Sequence, residues 1–129
     1  MAEHITASKY NKSRTESTDQ RALAEVLDRI GVLWLHCPNE GKRSSISGHN
    51  LKLAGLKPGA PDNIIFNPPP NIPHAKGAAI ELKRLSGGKV SSEQEKWIFD
   101  LMERGWVAMI AEGLDEALNA LKKWGYIKG

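Results

Sequence analysis

The chain has 129 residues, 40% of them hydrophobic and 26% charged, with a formal net charge of +3. That is the make-up of one soluble globular domain, long enough to bury a core but not two. The mild basicity permits a nucleic-acid partner without requiring one. No apolar run approaches the roughly 18 residues of a bilayer-spanning helix, and no apolar signal segment is seen at the start, so no membrane association is expected. The single cysteine, Cys37, excludes an internal disulfide and fits a reducing, cytoplasmic setting. His36, Cys37 and His49 lack the paired spacing of a zinc site, so zinc is not expected.

Residues 1–13 are polar and aperiodic, the composition of a flexible tail ahead of a single domain at 14–129. Helical signals then begin. Ser13 with Glu16, and Ser17 with Gln20, both fit a capping box, so two starts are open. The helix runs to Ile30 and stops at Gly31. Leu23, Leu27 and Ile30 form its apolar stripe, which stepped backwards reaches Gln20 and Glu16. Glu16 is thus either an acid favoured by the helix dipole or an acid turned toward a site.

Val32 to His36 reads as a short strand. From Gly41 to Pro61 there are Lys42, Arg43, Lys52 and Lys57 and no acidic residue. Such a segment is either a solvated loop or one that meets a phosphate backbone. Within it, Leu51 to Leu56 has the spacing of a short helical turn.

The most informative stretch runs from Pro61 to Lys83. Asp62 leads a short apolar run, Asn63 to Phe66, and a proline-rich connection follows. A second run, Ala79 to Lys83, has strand character, so Ile80 and Leu82 point one way while Glu81 and Lys83 point the other. If the two strands are neighbours, Asp62, Glu81 and Lys83 converge. Close carboxylates repel unless a cation lies between them, and oxygen ligands suit Mg²⁺ or Mn²⁺. A lysine beside such a cation can assist a water or steady charge on a phosphate. The same residues could also line an ordinary solvated sheet face.

Ser92 with Glu95 is a further capping box, opening a helix to about Arg104. Gln94, Trp97, Ile98 and Leu101 share one face of it. A glutamine on an apolar stripe needs a hydrogen-bond partner, either in the interior or at the candidate site. Trp106 to Ile110 reads as a strand and Leu114 to Trp124 as a last helix. The order α-β-β-β-α-β-α defines an α/β fold, a mixed sheet flanked by helices.

With these residues placed, the chain resembles the VRR-NUC nucleases of the PD-(D/E)xK superfamily over about residues 15 to 120. The features that carry the resemblance are Glu16 with Gln20, Pro38 to Ser44, Gly55 and Gly59 before Pro61-Asp62, Ile80 to Arg84, and Val90-Ser91 with Gln94 and Trp97. The resemblance implies a restriction-endonuclease-like core. It makes Asp62, Glu81 and the Leu82 backbone carbonyl metal ligands, with Glu16 binding directly or through water. It assigns Lys83 to the attacking water and the developing charge, and Gln94 to a water or phosphate. It also implies DNA as partner, with Lys42, Arg43, Lys52, Lys57, Arg84 and Lys89 available to the backbone. Members of this family resemble Holliday-junction resolvases in fold; small phage members are linked to branched-DNA cleavage as homodimers, and the domain in a Fanconi-associated nuclease acts on flaps.

The resulting expectation is a Mg²⁺- or Mn²⁺-dependent DNA endonuclease acting on branched DNA as a homodimer, in the cytoplasm of a bacterial host if phage-encoded. A restriction-type or nicking enzyme on linear duplex ranks lower, because little chain is left for a base-reading element. A non-catalytic DNA-binding module on the same fold is the alternative from another class.

Overall fold

The computed structural model describes residues 15–38 and 45–129. The expected tail at 1–13 and the basic pair Lys42 and Arg43 lie outside the described residues.

Helix α1 spans Glu16–Ile30. Neither Ser13 nor Ser17 opens it: Thr15 is the N-cap, its hydroxyl accepting from the Thr18 amide at 3.0 Å. Thr15 takes the cap with an extended backbone, φ −104° and ψ 158°, while Ser17 is already inside the helix and Ser13 lies outside the described residues. The helix ends as expected at Gly31 in the left-handed conformation.

Strands β1 (Trp34–His36), β2 (Asn63–Ile65), β3 (Ala78–Lys83) and β4 (Val107–Glu112) form one sheet in the order β1-β2-β3-β4. The first two pairings are antiparallel and β3–β4 is parallel. A parallel pair needs a crossover, supplied by α3 (Ser92–Glu103). The last helix, α4 (Gly113–Trp124), follows β4 directly. The expected mixed α/β architecture is therefore present. One element exceeds the reading: a nine-residue helix α2 at Ser45–Leu53, where only a turn at Leu51 to Leu56 was expected. Its Gly48 and Asn50 are weak helix formers and conceal it.

Helix α3 is capped by Ser91 rather than opened at Ser92. Ser91 Oγ accepts from the Gln94 amide at 3.1 Å, and the Ser91 amide donates to Gln94 Oε1 at 2.9 Å. The capping box thus uses Gln94 at the third position instead of Glu95.

β3 is buried along its whole length. Ala78, Ile80 and Leu82 pack with Leu23 and Leu27 of α1 and with Ala117, Ala120, Leu121 and Trp124 of α4. Each fully buried leucine there contributes about 1.5–3 kcal/mol. The opposite side of β3 carries Glu81 and Lys83, and α3 reaches it through Gln94. The register pairs Asn63 with Ile80, which sets residue 62 beside residue 81. The proline-rich connection is made of turns, tethered by Asn71, whose amide donates to Trp124 O at 2.9 Å.

Candidate metal centre

Because β2 and β3 are antiparallel, the start of one adjoins the end of the other. Glu81, Leu82 and Lys83 end β3, Asp62 immediately precedes β2, and Glu16 is the first residue of α1. One carboxylate oxygen from each of Glu16, Asp62 and Glu81 lies within 4.8 Å of the others. Oxygen ligands on opposite sides of a hard divalent cation sit about 4–5 Å apart, so the spacing fits such an ion. Lys83 Nζ is 3.6 Å from Glu81 Oε2, both side chains being almost wholly buried. Counted formally, three carboxylates and one lysine leave two negative charges at a site whose Glu81 and Lys83 are buried and whose Glu16 is half-buried. A divalent cation matches that surplus.

Two of the acids, Asp62 and Glu81, are held from behind. Asp62 Oδ1 accepts from Asn63 Nδ2 at 2.8 Å and from the Leu82 amide at 3.1 Å. Its backbone carbonyl accepts from the Cys37 amide at 2.7 Å and from His36 Nδ1–H at 2.8 Å. Glu81 Oε2 accepts from Gln94 Nε2 at 3.1 Å. Gln94 therefore does two things with one amide: its oxygen opens α3 and its nitrogen restrains Glu81. The placement of a hydrogen-bonding end near the site was anticipated from the helix face; the link to Ser91 was not.

The connection before Asp62 is pressed against the start of α3. Gly59 has φ +83°, and a Cβ built there would lie 2.7 Å from the Glu93 carbonyl carbon and 2.8 Å from the Gln94 amide nitrogen. Trp97 Nε1 donates to Pro58 O at 3.1 Å beside it. Gly88 likewise passes close to Lys83, its position for a Cβ being 3.1 Å from Lys83 Cβ.

Of the basic residues expected to meet DNA, Lys52, Lys57, Arg84 and Lys89 are exposed. Arg84 Nη2 donates to Gly87 O at 3.0 Å, bracing the connection between β3 and α3. Lys42 and Arg43 lie outside the described residues.

Three contributors were not singled out for their role. Asn63 is fully buried and touches both Asp62 and Gln20. The available signal was a lone polar residue inside an apolar strand run. His36 braces Asp62 through the Asp62 backbone carbonyl. Asp19, one turn before Leu23, is only 2% exposed and accepts from the Leu114 amide at 3.2 Å. It serves α4, whose own N-cap residue makes no side-chain cap.

A mixed sheet between helices, with acids and a lysine gathered where its central strand ends, defines a restriction-endonuclease-like α/β core. The VRR-NUC domain model matches residues 5–115, and the chain belongs to that family. Its fold is a nuclease fold of the PD-(D/E)xK type. A solved structure described as a VRR_NUC domain protein superposes with a TM-score of 0.67, covering 87% of this chain and 88% of that one at 21% identity. At that identity the likeness speaks for the fold alone. Comparison with curated proteins finds no match. Among the described residues, no helix is long and apolar enough to cross a membrane.

Proposed function

We propose that the protein is a divalent-metal-dependent DNA endonuclease that hydrolyses phosphodiester bonds in branched DNA. The observation that carries this reading is the meeting of Glu16, Asp62 and Glu81 within 4.8 Å, with Lys83 beside them. Asp62, Glu81 and the Leu82 carbonyl would hold Mg²⁺ or Mn²⁺, with Glu16 binding directly or through water. Such an ion, when bound, supplies Lewis acidity toward the phosphate and toward the attacking water. Lys83 stands beside the carboxylates, where it would orient or deprotonate the attacking water and offset charge building on the phosphate. Gln94 restrains Glu81 through its Nε2 and so fixes that carboxylate relative to α3. Lys52, Lys57, Arg84 and Lys89, with Lys42 and Arg43, would meet the DNA backbone, contacts that position without reading sequence.

One domain with one site makes one cut, so a four-way junction requires two copies related by a two-fold axis. Flap cleavage or nicking needs only one. The test is a panel of labelled four-way-junction, flap, splayed and linear DNAs incubated with Mg²⁺ or Mn²⁺, beside a mass measurement of the free protein. Preferential junction cleavage by a dimer supports the full reading, and equal cutting of linear duplex favours a restriction-type or nicking enzyme. Asp62→Ala, Glu81→Ala and Lys83→Ala should each abolish cleavage while folding and DNA binding persist. A folded wild-type protein that binds no divalent ion would leave a non-catalytic DNA-binding module.

A further inference from the structure

The side chains of Gln20 and Asn63 face each other as two amides and exchange both possible hydrogen bonds. Gln20 Nε2 donates to Asn63 Oδ1 at 2.7 Å, and Asn63 Nδ2 donates to Gln20 Oε1 at 2.9 Å. The pair joins residues 43 positions apart, one on α1 and one on β2. Asn63 Nδ2 turns its second hydrogen toward Asp62 Oδ1 at 2.8 Å, with Ile80 O at a longer 3.3 Å. Asn63 is wholly buried and Gln20 half-buried.

We propose that this amide clasp is a positioning device for the metal centre. It sets the distance between the acid of α1 and the acid that leads β2. The proposal rests on the reading of Glu16, Asp62 and Glu81 as metal ligands. Glu16 is the first residue of its helix, where the backbone has the fewest hydrogen bonds to hold it. Gln20 lies one turn further on, on the same face, so a tie there fixes the turn that presents Glu16. The other end of the tie grips Asp62 through the same oxygen that accepts the Leu82 amide. Two donors on one oxygen fix the plane of that carboxylate. A neutral amide suits the place, because it offers a donor to a carboxylate and an acceptor to its partner without adding charge. A carboxylate at either position would repel the acids already gathered there.

The experiment is calorimetric titration of the full chain with Mn²⁺, each variant first checked by thermal melting in EDTA. Gln20→Leu keeps a good helix former at a half-buried site but removes the clasp. Its Mn²⁺ affinity should fall by roughly 10- to 100-fold, the range for residues that orient metal ligands. Asn63→Ala should lose at least as much, and Q20L/N63A should lose no more than Asn63→Ala alone, since Gln20 acts through Asn63. Leu27→Val loosens α1 away from the clasp and should melt earlier while its folded form keeps wild-type affinity. If Asn63→Ala fails to fold, Gln20→Leu against Leu27→Val decides the matter. Wild-type affinity in Gln20→Leu, or a loss no larger than in Leu27→Val, overturns the clasp alone. A wild-type protein that takes up no Mn²⁺ removes the metal centre itself, and the clasp with it.

Discussion

Replacing Gly59 by alanine should disturb the site without touching any of its charged residues. Two costs arise at that position. An alanine at φ +83° is held in the left-handed region, at about 1–2 kcal/mol. The added Cβ would also sit 2.7 Å from backbone and side-chain carbons of Glu93, well inside ordinary contact. Those atoms belong to the first turn of α3 and cannot swing aside as a flexible side chain would. Overpacking of that kind adds about 1–3 kcal/mol, for a total of roughly 2–5 kcal/mol and a melting temperature lower by about 7–18 °C. Relief by shifting α3 would draw Gln94 away from Glu81, so Mn²⁺ affinity of the folded protein should drop as well. Gly55 is the control: its φ is +105°, yet nothing lies within 4 Å of its missing Cβ. Gly55→Ala should therefore pay only the backbone strain and leave metal binding intact. Thermal melts and Mn²⁺ titrations of the two variants make the comparison. Equal destabilisation, with equal metal affinity, would refute the close approach of this loop to α3.

The remaining predictions concern the supports of the fold. Asp19→Ala should destabilise the protein by about 1–3 kcal/mol, since it leaves the Leu114 amide without its acceptor at the start of α4. Unchanged melting would remove Asp19 as the cap of that helix. Burial pushes the Tyr126 phenol from 10.0 up to about 12, and its hydroxyl donates to Asn67 O at 2.6 Å. Because the folded value is the raised one, the stabilisation is complete below pH 10 and is lost as pH climbs through 12. Melting midpoints should fall more steeply across that window in wild type than in Tyr126→Phe, and parallel curves would contradict the assignment.

Much of the site was legible because it depends on strand geometry. Glu81 and Lys83 share a face by the two-residue period of a strand, and Asp62 leads the neighbouring run. Gln94 stood out as a polar residue at the end of an apolar helical face. The caps were less legible, because several hydroxyl residues fit each pattern. Thr15 and Ser91 are the caps, each with an extended backbone that local sequence leaves open. Helix α2 went unread because Gly48 and Asn50 weaken its local signal.

Local periodicity by itself determined which residues share a face: the acid and lysine of β3, and the apolar stripe of α1. These depend on neighbours two, three or four positions away, and the covalent chain sets that spacing. Only the tertiary structure decided which faces meet. The reciprocal amides of Gln20 and Asn63 and the capping of α4 by Asp19, 95 residues distant, arise from packing two helices and a sheet around one core. A buried polar group must find a partner, and the packed fold, rather than the group's own surroundings in the chain, selects which one.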